Sequence, residues 1–208
     1  MARYTGSVCR QCRAEGRKLF LKGDRCYTNK CAWDKRKTSP GMRSKRRAKS
    51  TEYKSQLRAK QVIRRTYQLL EKQFTLLVGK ATASKGVTGD VMLQLLETRL
   101  DNAVRRASFA PSIRAARQLV NHGHFSVNGQ KVTIPSFMLK DGDVIEVREK
   151  SRKALPIKGS IEKGSVGNIP GWLKVEKEAF KATVLRRPNR EEIDPELKER
   201  AVIEYYSR

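Results

Sequence analysis

The chain has 208 residues, and its 46 lysines and arginines against 21 acidic residues give a formal net charge of +25. Such a charge repels itself unless a polyanion is bound, and a nucleic acid is the most economical partner. Hydrophobic residues make up 38% of the chain, enough for small cores, and no run approaches the roughly 18 apolar residues that would span a bilayer. No signal-peptide pattern precedes Cys9, so we expect a cytoplasmic protein without a membrane partner.

Four cysteines form two close pairs near the amino end. Two residues separate Cys9 from Cys12, four separate Cys26 from Cys31, and 13 lie between the pairs. The segment has almost no apolar periodicity and cannot fold on a core of its own, whereas a tetrahedral zinc ion held by four thiolates would stabilise it. We therefore predict one structural zinc ion bound by these four cysteines. With every position filled by a thiolate, the metal has no open site for catalysis.

The surroundings of the cysteines bear on this prediction in two ways. Nearby cations are expected to lower the pKa of the thiols, namely Arg10, Arg13, Arg17, Lys18, Arg25 and Lys30. Two disulfides or free reduced thiols are the alternative to zinc. A reducing cytosol and the metal-like spacing favour the metal.

A strongly basic linker follows the cysteines. Residues 35–49 read KRKTSPGMRSKRRAK, with eight basic residues and no acidic ones, and residues 1–60 together carry 19 basic against 4 acidic residues. We predict that the linker is extended on its own and orders against phosphates on binding RNA. The predicted contacts are Arg43, Lys45, Arg46, Arg47 and Lys49. A solvated tail or a transport signal is the alternative, but the position between the cysteines and a helical region favours RNA.

Apolar residues recur at helical spacing from residue 52 to residue 79 and predict two helices with a break between Tyr67 and Glu71. A turn at residues 85–88 then predicts the start of one long helix. Its inward side chains are expected to be Val91, Leu95, Leu96, Leu100 and Val104. Tyr53 and Tyr67 could stack on bases, but aromatic residues at helical spacing more often belong to a core.

The stretch from residue 98 to residue 147 carries the densest local signals. Ser112 precedes a helix-forming run, Ile113–Asn121, and its hydroxyl can accept a hydrogen bond from the first helical turn. Gly123 is suited to end that helix in a left-handed conformation. Two helices, the second of them Ile113–Asn121, are therefore expected to lead into a sheet.

Alternating residues predict the strands of this sheet. Asn128 and Gly129, which accept positive φ, lie between residues 125–127 and residues 131–134, so a hairpin is expected. Pro135 then leaves the ladder, and a turn at residues 141–143 leads into a half-buried strand at residues 144–147.

Hydrogen-bond donors are expected to cover the surface of this central unit, with Arg106 among them. Guanidinium groups and free N–H groups suit phosphate oxygens, so we predict that the unit holds nucleic acid. The predicted RNA contacts are Arg99, Arg105, Arg114, Arg117, Gln118, His122, His124, Asn128 and Lys131.

The carboxyl end is the least basic part of the chain. Residues 151–172 contain several glycines and prolines and predict a partly irregular connection, while residues 172–175 and 182–185 predict strands. Residues 190–208 hold six acidic residues against four basic ones, which suits contacts with protein.

Several runs of the sequence carry a family resemblance. ARQLVNHGHFSVNGQKVTIPS followed by DGDVIEV resembles the RNA-binding domain named after the fourth protein of the small ribosomal subunit. LLETRLDN, the opening RYTGSVCRQCR and the terminal IEYYSR extend the resemblance over essentially the whole chain, to the bacterial family of that ribosomal protein in its zinc-binding form with four cysteines. One departure is Ile113, where the family often has an arginine or a similar polar residue, and we expect Arg114 to take over that contact.

The resemblance implies an α+β fold in which a helical amino-terminal domain with a four-cysteine zinc knuckle is joined to a small α/β RNA-binding domain. That small domain, of two helices and an antiparallel sheet, is inserted before the carboxyl-terminal tail. The domains expected are a knuckle with basic linker at residues 1–45, a helical domain at 46–97 completed by the tail 190–208, and the RNA-binding domain with the following irregular segment at 98–189.

The function implied by the resemblance is that of a structural constituent of the small ribosomal subunit. Such a protein is a primary binder of the 5′ domain of small-subunit, 16S-type ribosomal RNA and nucleates assembly. The implied partners are that RNA and neighbouring ribosomal proteins, including the fifth and the third, and messenger RNA near the place where it enters the subunit is a further candidate. An influence on translational accuracy and repression of the protein's own message are implied as well, whereas DNA is not an expected partner.

Two other functions compete with this one. The same small domain is appended to some RNA-modifying enzymes, but the rest of this chain offers no nucleotide-binding glycine loop, no nucleophile with a base and no paired carboxylates. We therefore expect a protein that is not an enzyme. A zinc-containing DNA-binding regulator would need a helix that presents base-reading side chains to the major groove, and the sequence shows no clear candidate.

Overall fold

The computed structural model describes residues 3–41, 51–164 and 169–207 and divides the chain into two compact units. The first unit comprises residues 1–92 and 194–208, and the second comprises residues 93–193. Helices combine with a small antiparallel sheet, which confirms the predicted mixture. Within the described ranges, no helix is both long and apolar enough to cross a membrane. The domain boundaries predicted after residues 45, 97 and 189 stay predictions.

The described helices are, in chain order, α1 Val8–Glu15, α2 Ala32–Lys35, α3 Glu52–Thr66, α4 Glu71–Ala83, α5 Thr88–Glu97, α6 Leu100–Arg106, α7 Ile113–Asn121, α8 Leu155–Lys163 and α9 Glu199–Tyr206. The described strands are β1 Phe125–Val127, β2 Gln130–Lys131, β3 Val144–Val147, β4 Leu173–Glu176 and β5 Lys181–Val184. Short 3₁₀ turns lie at Gly23–Tyr27, Glu149–Ser151 and Arg190–Glu192.

Residues 8–35, which we call the knuckle, surround the cysteines in the first unit. Helix α1 ends at Gly16, whose left-handed φ of 69° lets its N–H donate to the Cys12 carbonyl. The apolar cluster at this place consists of Val8, Cys12, Leu19 and Leu21, with Tyr4, Trp33 and Val62 packed against it. The knuckle therefore has only a very small core.

Helices α3, α4 and α9, together with the first half of α5, lie in the first unit outside the knuckle. The predicted break is confirmed, because α3 ends at Thr66 and α4 begins at Glu71. Helix α9 packs on α3: the Gln56 amide donates to the Glu204 carboxylate at 3.1 Å, and the Lys60 ammonium lies 4.5 Å from the centre of the Tyr205 ring. The ordered terminal segment thus completes a helical layer.

The long helix predicted from residue 88 is wrong, because α5 and α6 are separate. Arg99 has an extended backbone and forms an isolated β-bridge with Met138. Thr98 accepts a hydrogen bond from the Leu139 N–H at 3.0 Å, and the Leu100 N–H donates to the Phe137 carbonyl at 2.9 Å. Backbone groups that a continuous helix would use for its own hydrogen bonds are therefore bonded to a loop that is distant in the sequence.

The strands of the second unit form a five-stranded antiparallel sheet in the order β2-β1-β3-β5-β4. The hairpin turn is confirmed, since Asn128 and Gly129 have φ of 49° and 80°. The second strand of the hairpin was predicted too long: β2 ends at Lys131, and Ile134 is 54% exposed before Pro135. Strands β4 and β5 lie close to the two predicted carboxyl-terminal strands.

The irregular connection predicted for residues 151–172 is wrong in its first half. Helix α8 begins with a proline in its first turn, where a missing N–H costs little, and ends before Gly164 at φ 70°. Ile157 on α8 is fully buried together with Trp172, Phe125 and Ile145 in the core of the second unit. Pro156 and Gly164, two of the residues that suggested a loop, therefore lie at the two ends of a helix, and Gly159 lies inside it.

Candidate RNA-binding surface and cysteine cluster

Helix α7 places hydrogen-bond donors outside the core of the second unit. The Ser112 hydroxyl accepts from the Ala115 N–H at 3.3 Å, which confirms the predicted cap. The residues of α7 that face the core are Ile113, Ala116, Leu119 and Val120. On the other faces Gln118 and Asn121 are exposed and Arg114 is half-buried. This helix therefore presents amide and guanidinium donors to solvent.

A cluster of imidazole and cationic groups surrounds the turn after α7. Gly123 has φ 74°, and a side chain at that position would collide with the end of Lys131. The His122 and His124 rings lie 6.1 Å apart, and the Arg148 guanidinium donates to the Gly123 carbonyl at 3.2 Å. Lys131 and His122 are exposed, so the cluster can reach a ligand in solvent.

His124 is held in place within this cluster. Its Nδ1 lies 2.9 Å from the Ser151 hydroxyl, and the ring is half-buried. Burial lowers the pKa of His124, and the neighbouring charges of His122 and Arg148 lower it further. The neutral ring can therefore donate or accept a hydrogen bond at neutral pH, while Lys131 and Arg148 supply the positive charge.

Asn128 stands at the hairpin turn with its side chain engaged. Its Nδ2 donates to the Asp143 carboxylate at 2.8 Å, and its Oδ1 accepts from the Val144 N–H at 2.9 Å. The residue is exposed, but these two contacts fix the turn against β3. Its predicted contact with RNA stays a prediction.

The exposure expected for Arg99 and Arg117 is wrong. Arg99 is 4% exposed because its guanidinium forms two hydrogen bonds with the Asp101 carboxylate, at 3.1 and 2.8 Å. Arg117 is 7% exposed because it follows Ile113 by four residues and so borders the apolar face of α7. Neither guanidinium lies open on the surface of the second unit.

Arg105 and Arg106 are both half-buried, and Arg106 belongs to a network that the sequence did not reveal. The carboxylate of Glu97, 1% exposed, accepts from the Arg106 guanidinium at 2.6 and 3.0 Å and from the Asn102 amide at 2.6 Å. The network joins the end of α5 to α6. Glu97, Asn102 and Arg106 therefore position the two helices, while the RNA contact predicted for Arg105 stays a prediction.

The five predicted contacts in the basic linker lie outside the described residues. They are Arg43, Lys45, Arg46, Arg47 and Lys49.

The four cysteines are free thiols in the knuckle, with Cys12, Cys26 and Cys31 buried and Cys9 half-buried. The Lys22 N–H donates to the Cys26 sulfur at 3.4 Å. Burial raises the pKa of both Cys12 and Cys26, and the charges of the other cysteines raise it further, so the thiols lie within electrostatic reach of one another. Lys18 does lower the pKa of Cys26, but burial outweighs it, so the net lowering predicted from nearby cations is wrong for these two residues.

The fit of a metal ion to this cluster can be judged from its donors. Four thiols are the donor set that structural zinc prefers. In the parts of the chain that the structure describes, however, no group of three or more cysteine, histidine or acidic side chains is arranged to hold a metal ion. The zinc site therefore stays a prediction.

An arginine-lined cavity of about 280 Å³ lies in the first unit and was missed in the sequence. Arg10, Arg64 and Arg65 line it, and the buried amide of Gln68 donates to Gln11 at 2.8 Å beside them. The arginine pair at the end of α3 is the one signal that could have indicated it. Arg64 pairs with Glu71 and Arg65 pairs with Glu15, so the exposed Arg10 is the cation of this cavity best placed to meet a ligand.

Comparison with known proteins covers the entire chain. Residues 3–97 match the family described as ribosomal protein S4/S9 N-terminal domain, and residues 98–145 match the S4 domain. The small ribosomal subunit protein uS4A of Symbiobacterium thermophilum is 52% identical over 208 residues, all of both chains. The small ribosomal subunit protein uS4 of Thermotoga maritima is 52% identical over 209 residues, and protein uS4A of Myxococcus xanthus is 51% identical over 208, again with full coverage of both chains. The chain therefore belongs to the uS4 family of small ribosomal subunit proteins.

Proposed function

We propose that the chain is a structural constituent of the small ribosomal subunit that binds the 5′ domain of 16S-type ribosomal RNA as a primary binder and nucleates assembly. The observation that carries this proposal is the 52% identity, over the full length of both chains, to proteins named as small ribosomal subunit proteins. The role is not enzymatic, and its place is the ribosome in the cytoplasm. A net charge of +25 suits a protein that is permanently bound to a polyanion.

The donors around α7 and the following turn support RNA as the ligand. Lys131 and Arg148 would meet phosphate oxygens, while the amides of Gln118 and Asn121 suit ribose hydroxyls. An A-form helix hides its major-groove edges, so phosphates, 2′-hydroxyl groups and junction shape are the features available to such a surface. The RNA is therefore recognised mainly by its folded shape.

The first unit would add a second cationic surface. Arg10 beside its cavity, together with the linker at residues 35–49, supplies cationic groups for phosphates, whereas Arg64 and Arg65 there already pair with Glu71 and Glu15. Each unit then holds RNA with its own set of cations, as in an electrostatic clamp. Binding that depends on many such contacts weakens steeply as salt increases.

Neighbouring proteins complete the proposal. The fifth and third proteins of the small subunit are the proposed neighbours, with messenger RNA close by where it enters the subunit, and through them the chain would influence translational accuracy. Residues 190–208, with six acidic against four basic residues, are the part of the chain best suited to contacts with basic proteins.

One zinc ion held by Cys9, Cys12, Cys26 and Cys31 is the proposed cofactor of the knuckle. The support is the burial of three of the four thiols and the small size of the surrounding apolar cluster, which leaves the segment in need of a crosslink. When bound, zinc would hold the thiolates and stabilise the fold. Protein purified under reducing conditions should contain one zinc per chain and Cys12→Ser much less, and a content near zero in the unaltered protein would contradict the proposal.

Binding to RNA is tested by measuring affinity for the 5′ domain of 16S ribosomal RNA and for duplex DNA over a range of salt concentrations. With about eight phosphate contacts, the logarithm of affinity should fall against the logarithm of salt with a slope of roughly −6 to −7. Footprinting on the RNA locates the site. A flat salt response, or equal binding to duplex DNA, would overturn the proposal.

Two arginines on α7 give a matched pair of variants for this test. Arg114→Gln removes a half-buried guanidinium beside the exposed donors and should reduce the salt slope by about 1. Arg117→Gln removes a buried one and should leave the slope unchanged while it lowers the stability of the fold. Equal effects on the slope would show that the exposed face of α7 is not the binding surface.

A further inference from the structure

An aromatic pair lies on the surface of the knuckle. The rings of Phe20 and Tyr27 are stacked, with centroids 4.8 Å apart and planes inclined by 26°. Phe20 is 37% exposed and Tyr27 is 51% exposed. Neither ring belongs to the apolar cluster of the knuckle, so the pair is available to a ligand.

The backbone at Phe20 explains how its ring comes to face outward. Phe20 has φ 48°, a left-handed conformation that bulky residues rarely adopt. Its neighbours Leu19 and Leu21 are 4% and 3% exposed and belong to the apolar cluster of the knuckle. Two buried leucines on either side thus turn the ring between them toward solvent, and strain of this kind is concentrated at functional sites.

Tyr27 is placed in a similar way by a buried neighbour. It is the last residue of the 3₁₀ turn Gly23–Tyr27, in which Cys26 is buried. With Cys26 directed inward, the next side chain lies outside and against Phe20. The rings are therefore fixed before any ligand arrives, so little conformational entropy is lost on stacking.

Exposed cations flank the two rings along the chain. Lys22 follows Phe20 by two residues, Arg25 precedes Tyr27 by two, and Lys30 follows Tyr27 by three; all three are exposed. The Arg25 side chain donates from Nε to the Lys30 carbonyl at 3.3 Å, which ties the two sides of this loop together. Aromatic rings among cations are the arrangement by which proteins bind unpaired nucleotides.

We propose that Phe20 and Tyr27 form a platform on which an unpaired base of RNA stacks, with Lys22, Arg25 and Lys30 beside the adjoining phosphates. The inference rests on the proposed binding of ribosomal RNA and assigns part of that binding to the knuckle. An apolar protein segment would gain from the rings but not from three neighbouring cations, so the charge favours RNA. Every base has a π-face, so the platform selects an unpaired nucleotide rather than a sequence.

The test uses the full chain, purified under reducing conditions with zinc present, and small-subunit ribosomal RNA. The variant Phe20→Leu with Tyr27→Leu removes both rings, while Phe20→Tyr with Tyr27→Phe keeps two rings in place. Phe137→Leu removes a ring that is also 37% exposed but lies in the second unit. Affinity and the reactivity of unpaired bases toward dimethyl sulfate are measured for each.

The leucine pair should bind about tenfold more weakly, because stacking on an aromatic ring typically accounts for about that factor or more per base. At least one unpaired base protected by the unaltered protein should become reactive, while the ring-exchanged pair and Phe137→Leu keep that protection. If the leucine pair disturbs the knuckle, seen in the fluorescence of Trp33, Tyr27→Leu alone carries the test.

The outcomes separate the platform from the proposed function. Failure of the unaltered protein to bind ribosomal RNA would overturn both. Unchanged affinity and unchanged base protection in the leucine pair, with normal binding by the unaltered protein, would overturn the platform alone. Crosslinking of Tyr27 to a protein of the subunit instead of to RNA would overturn it as well.

Discussion

The knuckle and the second unit reach order by different means. The second unit buries a continuous cluster in which Phe109, Phe125, Ile145 and Trp172 are fully buried among helices α6, α7 and α8 and the sheet. The knuckle has only a handful of apolar side chains around four thiols. A core of the first kind stabilises itself, whereas a segment of the second kind depends on a crosslink or a ligand.

This difference decides how each region presents its cations. In the second unit, the donors around α7 are positioned by side chains that are buried beneath them, so the surface exists before RNA is bound. In the knuckle, Lys22, Arg25 and Lys30 are attached to a loop with few buried apolar side chains, and the proposed zinc ion would stabilise that loop. Perturbations of the metal and of the core should therefore affect different parts of the molecule.

Removal of metal is the change with the largest expected effect. Structural zinc contributes roughly 10–16 kcal/mol of binding free energy in small zinc-binding peptides, more than the apolar cluster of the knuckle can replace. A chelator added to the reduced full chain should abolish the hydrogen-exchange protection of Val8–Glu15. The amides of Ile113–Asn121 and Phe125–Val127 should keep theirs.

The control for that experiment is the same chelator saturated with zinc, which should leave both regions protected. Unchanged exchange of Val8–Glu15 after metal removal would show that the knuckle stands without a metal. Loss of protection in both regions would show that the two regions are not independent in stability.

Asp101→Asn tests the second unit at its buried ion pair. The Asp101 carboxylate is 1% exposed and accepts two hydrogen bonds from Arg99, so the substitution leaves a buried guanidinium without its charge partner. The expected loss is about 3–5 kcal/mol in the free energy of unfolding. Urea unfolding followed by the fluorescence of Trp172, in a Trp33→Phe background, measures it in this unit.

Asp141→Asn is the matched control, because that carboxylate is exposed at a turn of the same unit. Its effect should stay within about 0.5 kcal/mol. Similar losses for the two variants would mean that the Arg99 pair does not hold the start of α6.

Two serines that precede helices sharpen the comparison further. Ser112 caps α7 by accepting from the Ala115 N–H, whereas Ser7 precedes α1 without a side-chain cap. Ser112→Ala should cost about 1 kcal/mol and Ser112→Asn much less, since asparagine can accept the same bond. Ser7→Ala should change the unfolding of the knuckle very little. A larger effect at Ser7 than at Ser112, measured by urea unfolding, would contradict this assignment.

Local signals explain what the sequence predicted well. The cap at Ser112, the left-handed Gly123 and the Asn128-Gly129 turn each depend on residues within a few positions, and all three are confirmed. The separation of α5 from α6 depends on the loop near Met138, some forty residues away, and no local pattern announced it. Burial of Arg99 against Asp101 follows from that same distant contact.

The site shows the same division between local and distant causes. The exposure of Gln118 and His122 follows from helical spacing and was predictable, while the guanidinium-lined cavity beside Arg10, Arg64 and Arg65 needs the fold of the first unit. Burial also determines the direction of the thiol pKa shifts, since it raises the pKa of Cys12 and of Cys26. Counting the nearby cations could not reveal that Cys12 and Cys26 lie inside.

The smallest expected effect is a pH dependence of the second unit through His124. Burial first, and then the charges of His122 and Arg148, lower the pKa of His124 below its ordinary value near 6.5. The folded state therefore binds this proton less readily than the unfolded state, so stability is complete above about pH 6.5 and declines as the pH falls below it.

Burial raises the pKa of Glu15 above its ordinary value of 4.5, but Glu15 and Glu71 lie in the first unit, whereas Glu192 lies in the unit that Trp172 reports. Although burial pushes the pKa of Glu71 and Glu192 upward, hydrogen bonds from Lys60 and Arg186 leave it below the ordinary value of 4.5, so their stabilising effect is lost only at lower pH. His124→Gln should flatten the decline between pH 7 and pH 5, read from Trp172 fluorescence in the Trp33→Phe background. His122→Gln should keep most of the decline, because burial is the main cause of the shift at His124. If both variants flatten the pH dependence of stability equally, repulsion between the two imidazolium rings is the main cause. The stability of the turn after α7 would then depend on the charges of its side chains more than on the core beneath it.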